Sequence, residues 1–263
     1  MKNQSTLLSL SIFIAFSFNN CKDSNESALN SKDTAQLELV DQNMKPGKAE
    51  SDYYYGIGSR FEAISKTDLD NATTIYPFNR DHENERIEKI NSTEIIIIEN
   101  DRRTDRREYG RSENLTDGQK ALFKSLDYSK HFSMKTLFKE KTTENIVLDE
   151  QKFNPHYTVV PEIEAFYIEG EDAIINYLIE NSRVETLNLD SKKVRAAKIY
   201  FKISKKGTLK NVYMERTTGY PILNTKLIEL ISTIPGQWEP AKNSNGEIVE
   251  QEFAFTFGPK DGC

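Results

Sequence analysis

The sequence is poor in the two residue types that most often bind metals or form covalent cross-links. It has two cysteines, Cys21 and Cys263, and three histidines, His82, His131 and His156. Two cysteines cannot build a disulfide framework, although one Cys21–Cys263 bond is available if Cys21 carries no other group. We interpret Cys263 as an unpaired thiol without a redox role. No histidine has a second ligand at helical spacing with an acid in register, so no metal site is expected.

Sequence signatures of catalysis are also missing. The chain contains no G-x-S-x-G, Walker or cysteine–histidine nucleophile pattern. Acidic residues are plentiful, but nothing in the sequence brings two of them together as a catalytic pair. The formal net charge is −6, which does not indicate a nucleic-acid surface. We therefore expect a protein that is not an enzyme, has no cofactor and binds no nucleic acid.

The N-terminal apolar run is too short to cross a membrane. It covers 12 residues, Leu7 to Phe18, and follows Lys2, whereas a membrane-spanning helix needs about 20 residues. This pattern is typical of a secretory signal. With Cys21 directly behind it, the segment resembles a bacterial lipoprotein signal, although Asn19 and Asn20 stand where small residues are usual. The resemblance implies that residues 1–20 are removed and that Cys21 carries a lipid.

The next segment has few large apolar residues and only one proline, Pro46. We predict that residues 21–51 form a solvated flexible tether. Residues 52–150 and 151–263 then have enough apolar positions for two α+β domains.

The last third of the chain has the clearest secondary-structure pattern. Ile199, Phe201 and Ile203 alternate with polar residues, which predicts a strand, and the sequence from Thr208 to Thr218 predicts its hairpin partner. A helix follows, with Asn224 as its expected N-cap. Leu227, Leu230, Ile231 and Ile234 form its predicted apolar face, and Phe253, Phe255 and Phe257 predict a closing strand.

This order of elements, together with TTGYPILN, PGQWEPA and Gly246, resembles the C-terminal domain of the TonB family. Proteins of that family are periplasmic adaptors that couple to outer-membrane receptors. The resemblance extends back to about Tyr157 and implies a small antiparallel sheet with two helices. We interpret Trp238, the single tryptophan, and Pro240 as a structural anchor rather than as a ligand contact.

The resemblance also implies a binding surface. In the TonB family, a short receptor peptide pairs with the final strand of this domain, which here corresponds to Gln251, Glu252, Ala254 and Thr256. We therefore expect these residues to form an edge strand that accepts a peptide by strand addition. The Tyr-Pro pair common after the family's first helix is absent, because this chain reads NSRVETLNLD from Asn181. The proline-rich rod of energy-transducing members is absent as well.

The middle of the chain predicts helix, strand, charged segment, helix and strand. The helices are expected around Ser59–Leu69 and from Leu115, the latter with a capping box of Thr116 and Gln119, and the strands from Thr93 and at His131. Because this order parallels the C-terminal one, we hypothesise that the middle domain is a diverged copy.

Two further features of the middle domain have ordinary interpretations. The charged segment Asp101 to Glu113 has five arginines and four acids, which favours a solvated turn or strand edge over a polyanion site. The three tyrosines Tyr53 to Tyr55 are interpreted as packing residues.

Together these features predict a lipid-anchored protein of the cell envelope, in the periplasm or at the outer membrane. Its TonB-like domain would bind an outer-membrane receptor or another envelope protein by strand addition and assist transport. The alternative is a structural or assembly lipoprotein that binds peptidoglycan or a complex partner without transducing energy.

Overall fold

The computed structural model describes residues 49–79, 81–141 and 150–260, without the side chains of residues 81–83. Cys21, Cys263, the signal and most of the tether lie outside these residues. The described residues belong to one compact unit and form an α+β structure. None of their helices is long and apolar enough to cross a membrane.

Six α-helices, one short 3₁₀ helix (Tyr76–Phe78) and fourteen strands are described. The helices are α1 (Lys66–Asn71), α2 (Asp81–Arg86), α3 (Asp117–Lys124), α4 (Glu171–Asn181), α5 (Arg183–Thr186) and α6 (Pro221–Ser232). The strands are β1 (Tyr53–Gly58), β2 (Glu62–Ser65), β3 (Ile87–Glu99), β4 (Arg102–Gly110), β5 (His131–Glu140), β6 (Gln151–Phe153), β7 (His156–Val160), β8 (Phe166–Tyr167), β9 (Ala197–Ile203), β10 (Leu209–Arg216), β11 (Trp238–Glu239), β12 (Ala241–Lys242), β13 (Ile248–Val249) and β14 (Gln251–Pro259).

The strands form two main sheets. The middle sheet has the order β2-β7-β5-β3-β4, with β6 also paired to β5, and only its β2–β7 pair is parallel. The C-terminal sheet is antiparallel and has the order β1-β14-β9-β10. Two short ladders, β8 with β11 and β12 with β13, complete the structure.

The sheets do not follow the expected boundary between residues 150 and 151. Strands β6 and β7 lie after that boundary but pair with β5 in the middle sheet. Strand β1 lies before it but pairs with β14 near the end of the chain. Local sequence patterns predict where strands occur, but pairing between distant strands depends on packing that these patterns do not specify.

Each sheet has its own apolar core. In the C-terminal core, the alternating Phe253, Phe255 and Phe257 pack with β9 and with Leu227 and Ile231 of α6, as their spacing predicts. In the middle core, Phe123 of α3 packs with Ile95, Ile97 and Phe132 of the sheet and with other buried side chains. The predicted strands at β3, β5, β9, β10 and β14 and the predicted helices α3 and α6 are confirmed.

Two local predictions are wrong. The segment around Phe61 begins with strand β2 and becomes helical only at Lys66. Helix α6 starts at Pro221, so Asn224 lies inside its first turn. The Asn224 side chain instead accepts hydrogen bonds from the backbone N–H and hydroxyl of Thr218, at 2.9 and 2.7 Å. These bonds fix the chain just before the helix, but Asn224 is not the N-cap. The helix starts at Pro221, and proline is favoured at the first helical position.

The two sheets contain a similar order of elements. In the middle sheet, β3 and β4 are followed by α3 and then by β5, which pairs with β3. In the C-terminal sheet, β9 and β10 are followed by α6 and, after the short strands β11 to β13, by β14, which pairs with β9. The second strand of each hairpin packs against the helix that follows it.

Candidate binding surface at the edge of the C-terminal sheet

The final strand β14 is an inner strand. It pairs with β9 on one side, and β1 pairs with it on the other through six registered residues, from Tyr53 opposite Pro259 to Gly58 opposite Ala254. The expectation that Gln251, Glu252, Ala254 and Thr256 form an open edge is therefore wrong. The reason is that the chain supplies its own strand at the position expected for a peptide.

Hydrogen bonds and pairing account for each of the four expected binding residues. The backbone N–H of Glu252 donates to Ser129 Oγ at 3.0 Å, and Ala254 and Thr256 lie opposite Gly58 and Gly56 of β1. The Gln251 side chain is buried, and its Oε1 accepts from the Ala165 N–H at 2.7 Å. No peptide can pair with Ala254 or Thr256 while β1 is in place.

Two buried tyrosines hold β1 against the sheet. The Tyr53 ring stacks on Phe257 at 5.2 Å between centroids, and Tyr55 meets the same ring edge-on at 5.1 Å. The Tyr55 hydroxyl lies 2.7 Å from Ser182 Oγ at the end of α4. These contacts agree with the interpretation of Tyr53 and Tyr55 as packing residues, whereas Tyr54 is exposed. The alternation of Tyr53, Tyr55 and Ile57 was the signal for this strand, but six residues with two glycines make a weak pattern.

Among the described residues, β1 is a terminal strand of its sheet, and no strand pairs with its outer edge. The Tyr53 N–H donates to Ser51 Oγ at 3.1 Å rather than to its partner Pro259. In an antiparallel ladder the direction of the backbone groups alternates, so the N–H groups of Tyr55 and Ile57 also point away from β14. In the described part of the chain, no loop, turn or side chain accepts a hydrogen bond from either of these two N–H groups, and no further strand pairs with β1 on that side.

Two adjoining cavities lie beside this open edge. Their volumes are about 440 and 350 Å³, and both are lined by Tyr53, Ile179 of α4 and Lys260. One of them also reaches Leu187, and the other reaches Ile175. An extended segment added to β1 would therefore place its alternate side chains against α4 and α5.

The opposite terminal strand, β10, is less regular. Its ladder with β9 has two register shifts, and Asn211 adopts a left-handed backbone conformation with φ of 55°. The β1 ladder shows no register shift. Because bulges disrupt the row of edge groups that an incoming strand must meet, β1 is the better acceptor of the two.

Trp238 packs among aromatic rings of three strands. Its ring is 5.5 Å from Phe253, 5.6 Å from Tyr167 and 6.0 Å from Phe201. The Trp238 carbonyl and Pro240 Cδ lie beside Gly207 at the turn between β9 and β10. The Trp238 ring therefore packs among β8, β9 and β14, and its backbone lies next to the turn between β9 and β10.

Arg60 links the two sheets on the other face of the C-terminal sheet. Its guanidinium pairs with Asp101, which follows β3, and with Glu215 of β10 at 3.0 Å. It also lies over the rings of Phe61 and Tyr200, at 5.0 and 5.2 Å. A cavity of about 670 Å³ opens beside this group.

Burial changes the acid–base behaviour of two groups that line this cavity. Burial, followed by the nearby charges of Arg60 and Lys130, lowers the pKa of His131 to about 4. Burial raises the pKa of Glu252, against the opposing effect of Lys202. Since the charged groups here pair with one another, the arrangement fits a structural junction better than a reaction centre.

The arginine-rich segment is the edge strand β4, in line with the interpretation of a solvated strand edge. Arg106 pairs with Glu99 at 3.1 Å, and Arg107 pairs with Glu94 at 3.3 Å. Arg103 donates to Asn154 at 2.8 Å. Much of the positive charge is therefore compensated within the sheet.

Comparisons with known proteins found no relative of this chain. No family model, curated protein or solved structure matches the chain. Among the described residues, no group of histidine, cysteine, aspartate or glutamate side chains could hold a metal ion.

Proposed function

We propose that this chain is a lipid-anchored protein of the cell envelope, in the periplasm or at the outer membrane, that binds a partner protein by β-strand addition. The partner is an outer-membrane receptor of the TonB-dependent kind or another envelope protein, and binding assists transport. The observation that carries the proposal is the open, regular edge of β1 with cavities beside it. No catalytic step is part of this function.

The position of the binding edge differs from the one that the TonB resemblance implies. Strand β1 occupies the place beside β14, so the partner strand adds one position further out. The backbone groups of Tyr55 and Ile57 supply the hydrogen bonds, and side chains of α4 and α5 give selectivity. Displacement of β1 is disfavoured because it would expose Tyr53 and Tyr55 to water.

We also propose that the two domains arose from one TonB-like unit. The shared order of two strands, a helix and a third strand that pairs with the first supports this idea. The extra parallel pair of β2 and β7 would then be an addition to the middle copy. Superposition of β3-β4-α3-β5 on β9-β10-α6-β14 tests the proposal, and opposite handedness of the two connections would overturn it.

Site-specific photo-crosslinking in cells tests the binding function. A photoreactive phenylalanine at Tyr54 reports on the β1 edge, and one at Tyr213 reports on β10 as a matched control. The two side chains are 43% and 49% exposed, so both can react with a neighbour. We expect crosslinks to an outer-membrane receptor from position 54 and not from position 213.

The same experiment separates the alternative function. Crosslinks from position 54 to peptidoglycan, or to structural lipoproteins alone, would overturn the transport role and leave a structural or assembly protein. Crosslinks from position 213 alone would show that the partner binds at β10 and not at β1.

A further inference from the structure

Two cations lie directly opposite each other on the face of the C-terminal sheet that turns away from its core. Lys198 of β9 is the register partner of Arg216 of β10. In the described part of the chain, neither side chain has a carboxylate within 4 Å. Like charges in directly opposite positions of a sheet repel and destabilise it. The folded protein thus retains an unfavourable pair.

Lys198 is less hydrated than an ordinary surface lysine. Its side chain is half-buried, and its ammonium group lies 5.9 Å from the centre of the Phe61 ring. Burial lowers the pKa of Lys198, and the charges of Arg216 and Arg60 lower it further. A partly desolvated cation without a counterion gains more from binding an anion than a fully hydrated one does.

Most neighbouring cations have acidic partners. Lys202 lies two residues further along the same strand and pairs with Glu252 at 3.8 Å. Arg60 pairs with Glu215 and Asp101. The whole chain has 41 acidic and 35 basic residues, so it does not lack acids for pairing. Lys198 and Arg216 therefore differ from Lys202 and Arg60, the two neighbouring cations that have acidic partners.

Hydroxyl groups extend the same row across the sheet. Thr256 of β14 is the register partner of Lys198, and Gly56 of β1 is the partner of Thr256. The Tyr54 ring and hydroxyl lie over Gly56, which has no side chain to exclude them. Two cations and two hydroxyl groups therefore lie in one line on one face of the sheet. They belong to Arg216, Lys198, Thr256 and Tyr54.

We propose that this line, the phosphate row, binds the phosphate group of a soluble phosphate monoester. Phosphate carries close to two negative charges at neutral pH and has three acceptor oxygens, so it can neutralise both cations and also accept a hydrogen bond from a hydroxyl of the row. A carboxylate has one charge and would leave one cation uncompensated. The site does not depend on the open edge of β1.

Calorimetric titration of the full-length protein with inorganic phosphate at low ionic strength tests the site. We expect Lys198→Met and Arg216→Met each to weaken phosphate binding by about tenfold or more, because each removes a charge-assisted hydrogen bond. Methionine keeps much of the apolar length of either side chain. Lys202→Met is the matched control, and we expect its affinity to stay within about twofold of the wild type, because Lys202 already has an acidic partner.

Thermal unfolding gives a second readout that a purely structural lysine would not produce. Without phosphate, Lys198→Met should raise the melting temperature because it removes the repulsion from Arg216. Phosphate should raise the melting temperature of the wild type but not of this variant.

Three results would overturn the proposal. The first is equal binding of acetate at the same ionic strength, and the second is equal loss of affinity in Lys202→Met and Lys198→Met. The third is binding to phosphatidic-acid vesicles without binding to inorganic phosphate, which would indicate a lipid surface rather than a soluble ligand.

Discussion

At the scale of single residues, Arg60 is a central contact of the junction between the two sheets. Arg60 lies between β1 and β2 and pairs with carboxylates from distant parts of the chain. Glu215 also accepts from the Tyr200 hydroxyl at 3.0 Å, so its carboxylate has partners on both oxygens. Nothing in the sequence around Arg60 indicates this role, because both acids are far away along the chain.

Removal of Arg60 should destabilise the protein strongly. Arg60→Met leaves the mostly buried Glu215 without its cation, and a broken buried pair costs about 3 kcal/mol. Arg106→Met is the control, since its pair with Glu99 is exposed and should contribute less than about 1 kcal/mol. Urea unfolding of both variants measures the difference. Equal stability losses would show that Arg60 is an ordinary surface residue.

His131 should make stability depend on pH. Its pKa in the folded state is about 4, below the value of about 6.5 for an unfolded chain. The unfolded state therefore binds a proton first as the pH falls, and stability is full above pH 6.5 and declines towards pH 4. Arg60 and Lys130 face the ring, and both disfavour its protonation.

The variant His131→Gln isolates this effect. It should lose about 3 kcal/mol less stability than the wild type between pH 7 and pH 4. The raised pKa of Glu252 is present in both proteins and so cancels from the comparison. Urea unfolding at the two pH values gives the numbers, and parallel pH profiles would contradict this account.

At the scale of elements, the predictions succeed where the signal is local. The capping box of α3 is confirmed: Thr116 Oγ1 accepts from the Gln119 N–H, and Gln119 Oε1 accepts from the Thr116 N–H. The predicted N-cap of α6, Asn224, is wrong because this residue lies three positions after Pro221, where the helix starts. Strand β1 was missed since its partner is about 200 residues away, and no local pattern specifies such a partner.

Loss of the α3 cap should have a moderate cost. Thr116→Ala removes one acceptor from the first turn and should lower stability by about 1 kcal/mol. Thr225→Ala is the control, because Thr225 is exposed within α6 and its hydroxyl donates only to the Pro221 carbonyl of the same helix. It should change stability by less than about 0.5 kcal/mol. Chemical denaturation measures both, and a neutral Thr116→Ala would show that the box does not stabilise the helix.

At the scale of the whole molecule, the C-terminal sheet is built from both ends of the described chain. The middle sheet lies between β1 and the rest of the C-terminal sheet in sequence. The sequence predicts the α+β class and most strands, but not this arrangement. It also predicts β14 and its apolar face correctly, yet not that its outer side is occupied.

A C-terminal fragment should therefore fold poorly alone. A protein limited to residues 163–260 lacks β1 and leaves Phe255 and Phe257 without Tyr53 and Tyr55. We expect a less cooperative thermal transition and increased binding of a hydrophobic dye. A peptide of residues 49–61 should restore cooperativity, whereas the same peptide with Tyr53 and Tyr55 changed to serine should not. A fragment that unfolds as cooperatively as residues 49–260 would contradict the role of β1.

The most direct test of the open edge is hydrogen exchange of the β1 amides, measured by NMR in the free protein and with the partner that crosslinks at position 54. If the partner adds to the open edge of β1, the Tyr55 and Ile57 amides exchange fast in the free protein and slowly in the complex. The Gly56 amide, which points towards β14, should stay protected in both. Tyr55 and Ile57 amides that are protected in the free protein, or that remain unprotected in the complex, would contradict strand addition at β1.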